Sequence, residues 1–410
     1  MSIEQGEQPT VVNVERTGYF RQNYDTRGWQ NIIKQMKKNH KIYHERTRSG
    51  LISDAFAAAQ VDRLDYETVF QLLEYLPKEK SGSVWRMVEQ GLGTIVAFYG
   101  NEPGGVWAKS YAKKIMKIRE EDIHKNIDPE EQKVTAERMP GTTKKMLSKE
   151  DTLSVEAAVS PSVEQRSRRK SMELNEDYTT SDSSLDEFLE RSFIESYCEL
   201  GSKNCSSTFR SIFEREVYHR CGDGQKASQC VRVRRHFRGC TYCYGVKELG
   251  ATALEKVKNL YKIENAEEEK ENLRKGMSCV EDVRELKQQL LSAIDGTADI
   301  RMQDIAFEFR EVSKNPVAQE FMLTFLIENW ELIYERFGGQ FKPIERVLRI
   351  CLGKIRSYGQ IMMVRQFQRN APNASKFRVI DQQIEAAEHR IAWYKKHSKK
   401  LAEYFESHSS

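Results

Sequence analysis

The 410-residue sequence is poor in the residues that punctuate β-structure, with 23 glycines and 9 prolines in the whole chain. An all-β sandwich needs such residues at nearly every turn, so that class is set aside. An excess of either charge is also missing. Lys and Arg number 65 against 61 Asp and Glu, a formal net charge of +4, which excludes a strongly polybasic nucleic-acid binder held mainly by net charge. No run approaches the roughly 18 uninterrupted apolar residues of a membrane span. Met1-Ser2-Ile3-Glu4-Gln5 has neither a basic nor an apolar stretch, so no signal peptide is visible. Neither G-x-x-x-x-G-K-[ST] nor G-x-G-x-x-G occurs, so no phosphate-cradling loop is marked. What is left is a polar, mostly helical chain, long enough for two or three domains or one elongated array.

Metal and nucleophile chemistry has equally little to stand on. His40 and His44 are four apart, as two ligands on one helical turn would be. A zinc-protease helix needs H-E-x-x-H, in which the Glu polarises the metal-bound water. Here Lys41 occupies that place, Arg48 follows His44 by four, and Glu388-His389 has the order reversed. No zinc-hydrolase site can be built from these spacings. The eight cysteines are Cys198, Cys205, Cys221, Cys230, Cys240, Cys243, Cys279 and Cys351. Cys240 and Cys243 form one C-x-x-C, but Cys221 and Cys230 are spaced by nine, so a zinc knuckle has half its pattern and disulfides are equally permitted. Arg232, Arg234, Arg235, His236 and Arg238 surround the single aromatic Phe237, too few stacking platforms for RNA. A solvated basic helix face is the expectation there.

Hydrophobic periodicity divides the chain. Val11, Val12 and Val14 form a short strand-like run ended by Gly18, and residues 1–18 are read as a strand remnant. Residues 26–38 carry Trp29, Ile32, Ile33 and Met36 on one helical face. Similar patterns over 48–60, 65–76, 83–99 and 105–118 make 19–120 the first helical part. Asp65 is the expected cap of the third of these helices, and Pro77 its stop. From 121 to 183 no aromatic occurs before Tyr178, and Lys, Glu, Ser, Thr and Arg dominate. Such a segment buries too little apolar surface to offset its ordering entropy, and is read as a disordered insert with fragments of helix. Within it, Arg168-Arg169-Lys170-Ser171 has the form of a basophilic kinase site at Ser171. Helical patterning returns over 184–410. Ser184 and Glu187 suggest a capping box, Asn315-Pro316 a helix start, and Ile380, Ile384, Ala387, Ile391, Tyr394, Leu401 and Phe405 one long seam. Many helices with short links and no strict period imply an all-α, irregular superhelix of antiparallel helix pairs, similar to HEAT and armadillo arrays.

Certain residues carry a family resemblance. Gly18-Tyr19-Phe20-Arg21-Gln22-Asn23-Tyr24-Asp25 followed by Trp29 resembles the G-Y-Y-R-V-N-Y-D…W run of the aminopeptidase N-like zinc aminopeptidases (gluzincins), where it enters the C-terminal helical domain. Arg48 to Asp54-Ala55-Phe56 resembles that domain's R-x-x-x-x-x-D-A-F, and Leu64-Asp65-Tyr66 its next helix start. Phe237-Arg238-Gly239-Cys240-Thr241-Tyr242-Cys243 is similar to L-R-x-x-V-Y-C, Arg301-Met302-Gln303-Asp304 to R-x-Q-D, and Glu328-Asn329-Trp330 to E-N-W. The family's E-T-E-Y-x-P-W is degraded to Glu79-Lys80-Ser81-Gly82-Ser83-Val84-Trp85. The likeness covers nearly the whole chain outside 121–183, and its specificity lies in the order and spacing of the motifs.

The resemblance implies two disulfides, Cys198 with Cys205 and Cys243 with Cys279, the larger loop worth about 3–4 kcal/mol in the chain-entropy model. Cys221, Cys230, Cys240 and Cys351 fall outside that pattern. It also implies folding in an oxidising, secretory or extracellular setting, with a cytoplasmic location left open by the lack of a visible signal peptide. Asn204-Cys205-Ser206 and Asn373-Ala374-Ser375 are N-glycosylation triplets that fit that setting. The parent family's zinc motif and G-A-M-E-N loop lie upstream of the G-Y-Y-R run, and 17 residues precede Gly18 here. The expectation is therefore a chain without zinc or any other cofactor, inactive alone. It would bind peptides or an aminopeptidase-type subunit and no nucleic acid, with no membrane segment in the chain. A piece of an active membrane-anchored zinc aminopeptidase is the alternative, and an intracellular helical scaffold regulated at Ser171 a third.

Overall fold

A computed structural model describes residues 9–127, 185–298, 300–337 and 341–409. The architecture is all-α, and no strand occurs among the described residues. The first part holds α1 (Thr26–Asn39), α2 (Glu45–Gln60), α3 (Tyr66–Leu73), α4 (Gly82–Tyr99) and α5 (Gly105–Ile127). Asp25 caps α1 by accepting from Gly28 N at 2.6 Å, and Trp29, Ile32, Ile33 and Met36 are its buried stripe. Asp65 caps α3 through Thr68 N at 2.7 Å. These caps satisfy amides that the first helical turn leaves without a partner.

The second part runs α6 (185–199), α7 (Lys203–Phe213), α8 (Ala227–Cys230), α9 (Arg235–Leu249), α10 (Ala251–Ile263), α11 (Glu267–Met277) and α12 (Val283–Asp295). It continues with α13 (Ile305–Lys314), α14 (Ala318–Glu328), α15 (Trp330–Phe337), α16 (Phe341–Leu352), α17 (Tyr358–Asn370) and α18 (Arg378–His408). Each helix leans on its neighbours in sequence and on those one or two pairs away: α9 packs on both α7 and α11, and α13 on α16. Where α9 meets α11, Gly276 lies so close to Tyr242 that an added Cβ would stand 2.5 Å from the Tyr242 Cβ.

The array closes on itself. Helix α18 has 31 residues, about 46 Å at the helical rise, and packs on α16, α17, α4 and α5. Its seam meets the first part in an aromatic cluster. Trp393 lies edge-on to Tyr66, Phe98 and Tyr99, and Phe405 stacks on Tyr111. Tyr99 OH donates to Ser398 O at 2.6 Å and Lys114 Nζ to His408 O at 2.9 Å.

Two expectations need correction. The Val11–Val14 run is not a strand: Val14–Arg16 is a 3-10 turn, with left-handed φ at Asn13 (52°), Glu15 (57°) and Arg16 (60°). Side chains, not a neighbouring strand, satisfy its backbone. Glu15 N donates to Thr47 Oγ1 at 2.9 Å and Gly18 N to Asn13 Oδ1 at 2.7 Å. Helix α5 continues through Ile127, past the composition boundary at 121, while residues 128–184, with Ser171 and Ser184, lie outside the described residues. Helix α14 begins at Ala318 rather than at Asn315-Pro316. Asn315 is instead a buried anchor, donating to Ser278 O at 2.9 Å and Val280 O at 2.8 Å while accepting from Val317 N at 3.1 Å.

Candidate functional site

Inside the curve of the array lies a chamber of about 290 Å³, walled by α4, α5, α6, α9 and the segments around α11, α13 and α16. Its apolar ground is supplied by Leu92, Val96, Ala112 and Met116. Charges of both signs stand on that ground. Glu89 of α4 accepts from Ser196 Oγ at 2.6 Å, Ser192 Oγ at 3.0 Å and Arg86 Nη1 at 3.1 Å, yet burial still raises its carboxyl above the ordinary range. Lys275 is ion-paired with Glu195, which Arg191 also approaches at 3.2 Å. Burial opposes the charge of Glu195, and the surrounding lysines Lys275 and Lys314 outweigh it, so its carboxyl is held low. Glu311 pairs with Lys314 at 2.8 Å.

Four charged chamber groups are left over, one of them Lys109 of α5, which makes no hydrogen bond or ion pair with the described residues. Glu199, one turn beyond Glu195 on α6, makes no hydrogen bond or ion pair with the described residues. The residue is exposed, and the surrounding protein raises its carboxyl above the ordinary range, with Lys314 opposing. Lys354, just past α16, is likewise without a partner; burial, then Arg356, lowers its ammonium. Arg356 donates to Ala97 O at 2.7 Å, its Nε is buried without a partner, and burial lowers it too. Gly100 makes room for this guanidinium. It has φ +58°, and a Cβ there would stand 2.3 Å from Arg356 Cζ. The chamber therefore holds an exposed, unpaired carboxylate, Glu199, and three cations, Lys109, Lys354 and Arg356, that meet no acidic side chain among the described residues.

The family-motif residues sit elsewhere and fasten the fold. Arg21 Nη1 and Arg16 Nη2 both reach Asp54 Oδ1, at 3.1 and 2.9 Å. Asn23 Oδ1 accepts from Trp29 Nε1 at 2.9 Å, and Tyr24 OH accepts from Val12 N at 3.0 Å. Tyr19 is fully exposed, and Gly18 is pinned by the Asn13 side chain. Phe56 is buried on α2. Arg301 pairs with Asp304 at 2.6 Å, with Gln303 between them in a 3-10 turn. Asn329 Nδ2 donates to Phe325 O at 2.9 Å, and the buried Trp330 donates to Pro372 O at 2.8 Å.

Three disulfides are present: Cys198–Cys205, Cys243–Cys279 and Cys221–Cys230, with Cα separations of 5.4, 5.1 and 5.3 Å. The last had no signal in the family pattern. Cys243 and Cys279 form part of the chamber wall beside the buried free thiol of Cys240, which burial pushes up to about 12. Arg238 is a strut rather than a solvated cation, bound to Glu269 at 2.6 Å and to two backbone carbonyls. His44 caps α2 and His40 is buried against Tyr75. Among the described residues no group of three or more His, Cys, Asp or Glu side chains could hold a metal ion, and no helix is long and apolar enough to cross a membrane. The chamber residues Glu89, Glu199, Lys354 and Arg356 escaped sequence reasoning because no linear motif joins α4, α6 and the end of α16.

The family described as ERAP1-like C-terminal domain matches residues 10–136 and 141–389. The chain belongs to this family. The match runs through much of the segment set apart by its composition. An aminopeptidase N of Haemonchus contortus is 37% identical over 97% of this chain. The aminopeptidase-like protein AC3.5 of Caenorhabditis elegans is 24% identical over 96%, and the human glutamyl aminopeptidase 22% identical over 96%. The chain spans about a third of the length of these relatives: 36%, 31% and 35%.

Proposed function

We propose that this ERAP1-like C-terminal domain is a peptide-binding cradle of an aminopeptidase-type protein, contributing recognition rather than bond cleavage. The observation that carries this reading is the chamber, where Glu199 stands unpaired across from Lys354 and Arg356 on an apolar ground. A peptide supplies what those groups lack, cationic and anionic groups on one apolar-bearing backbone. The described side chains offer no metal cluster to activate water, and peptide binding needs none. Secretion or extracellular display fits the three disulfides.

Titration of fluorescent short peptides into the chain tests the reading. Saturable binding is expected, weakened about tenfold or more by Glu199→Gln or Lys354→Ala, the usual worth of a charge-assisted hydrogen bond. Binding untouched by both substitutions would overturn the chamber assignment. Zinc-dependent turnover of aminoacyl anilides, abolished by chelator, would overturn the recognition-only role.

A second reading follows from length. The chain spans 36% of the Haemonchus contortus aminopeptidase N, and as one part of such a protein it would serve a peptidase whose chemistry lies in the remainder. An H-E-x-x-H codon run upstream in the same transcript decides for it.

A further inference from the structure

We infer that Asn373 is an N-glycosylation site and that Asn204, in the other triplet, is not. The inference rests on the secretory reading above. Residues 371–377 join α17 to α18, and the segment is held down at three points. Pro372 O accepts from the Trp330 indole at 2.8 Å, while Ala374 and Phe377 are 0% and 1% exposed. What this clamping turns outward is Asn373, partly exposed, with Ser375 and Lys376, both exposed. Asn373 has φ 63° and ψ −3°, a left-handed conformation that Asn tolerates better than other side-chain-bearing residues. It opens a tight turn in which Ala374 N donates to Ala371 O at 3.2 Å and Lys376 N to Asn373 O at 3.1 Å. The Asn373 amide has no hydrogen bond to any described residue.

The other triplet is built differently. Asn204 and Ser206 lie in the first turn of α7, where Cys205 is buried and bridged to Cys198. Ser202 caps the Cys205 amide at 3.3 Å, and Asn204 Nδ2 donates at 3.0 Å to the buried Glu120. A glycan on that nitrogen competes with a bond that a buried carboxylate needs. At Asn373 nothing is displaced. No residue after Arg356 lines the chamber, so a glycan there leaves peptide binding open.

The modification is a group transfer from a polyprenyl-diphosphate-linked oligosaccharide. Asn373 Nδ2 attacks the anomeric carbon, and the new N–C bond forms as the C–O bond to phosphate breaks. The amide gives up one proton, and polyprenyl diphosphate departs with the electron pair. Nothing is oxidised or reduced.

The full chain, secreted from insect cells behind a cleavable signal, is treated with peptide N-glycosidase in heavy-oxygen water and digested with trypsin. The peptide 370–376 is expected to carry labelled Asp in place of Asn373, with a downward gel shift. Ser375→Ala should lose both, and Asn204→Gln should lose neither. An unlabelled 370–376 peptide in protein with its Cys243–Cys279 bridge intact would overturn the site and leave the secretory reading standing. Label found on the Asn204 peptide would also overturn it. Eight alkylatable thiols in protein from its own source would overturn the secretory reading and this inference together.

Discussion

The indole of Trp393 donates to the phenol oxygen of Tyr66 at 2.9 Å, across 327 positions of sequence. Around this bond, Asp62 pairs with Lys396 at 2.7 Å and meets His397 Nε2 at 2.8 Å. The last helix is therefore fastened to the first quarter of the chain by a buried aromatic cluster with a charged rim, and the rim contributes little. Trp393→Ala is expected to cost about 3–5 kcal/mol through lost ring contacts and the cavity left behind. Trp393→Phe should cost about 1–2 kcal/mol, leaving the Tyr66 hydroxyl without its donor. Urea unfolding measures both. If neither variant shifts the midpoint, the closure is not held at this point.

Two buried carboxylates should give stability slopes of opposite sign against pH. Burial opposes ionisation of Glu79, but bidentate contact with Arg48 at 2.6 and 2.8 Å, with the Ser81 amide at 2.9 Å, outweighs it and holds the carboxyl below its ordinary 4.5. That contribution is full above the unfolded value and is lost as pH falls through the folded one. Glu308 is the reverse case. Burial raises it to about 7 despite Arg274 at 2.7 Å, so its stabilising share is full below 4.5 and is lost as pH rises towards 7. Glu79→Gln should flatten the acid limb while costing about 3–5 kcal/mol at neutral pH, because Arg48 is left buried without a countercharge. Glu308→Gln should flatten the decline between those two values. Melting temperature against pH checks both, and an unchanged slope in Glu308→Gln refutes its assignment.

Much of this fold was legible because helices announce themselves locally. The stripe of α1, the Asp65 cap and the seam of α18 are short-range patterns that the core then uses. What α18 covers was not legible, since nothing near Trp393 in sequence names Tyr66 as its partner. The Val11–Val14 run misled for a related reason. Its β-branched residues favour extension, but its Val12 amide donates to the Tyr24 hydroxyl and the chain turns at once through Asn13–Arg16, whose Glu15 amide goes to Thr47 on α2. The chamber was the least legible feature, because Glu199 and Lys354 acquire meaning only when α6 and α16 meet. The family motifs marked fasteners such as Arg21 with Asp54, which hold the array without lining the chamber.

The bridges should differ in worth. The Cys243–Cys279 bridge closes a 36-residue separation and Cys198–Cys205 one of seven, so the chain-entropy account gives about 4 kcal/mol for the first and about 2 kcal/mol for the second. Paired Cys→Ser variants, unfolded in urea, should keep that order. Cys240, pushed up to about 12 by burial, should resist alkylation at neutral pH until the chain unfolds. Rapid labelling of folded protein at Cys240 would contradict its burial.

Gly100 and Arg356 supply a last prediction that separates strain from contact. A methyl group at position 100 faces two penalties, a left-handed φ of +58° and the Arg356 guanidinium at 2.3 Å. The first belongs to the backbone and costs about 1 kcal/mol whatever lies opposite. The second vanishes if the guanidinium is removed. Gly100→Ala should therefore destabilise the native chain by more than it destabilises Arg356→Ala, and the difference is the coupling that a double-mutant cycle reads. Peptide affinity should fall in Gly100→Ala as the guanidinium is pushed from the chamber wall, and no further when Arg356→Ala is added. Additive losses in the cycle, for stability and for affinity alike, would show that Gly100 does not position Arg356.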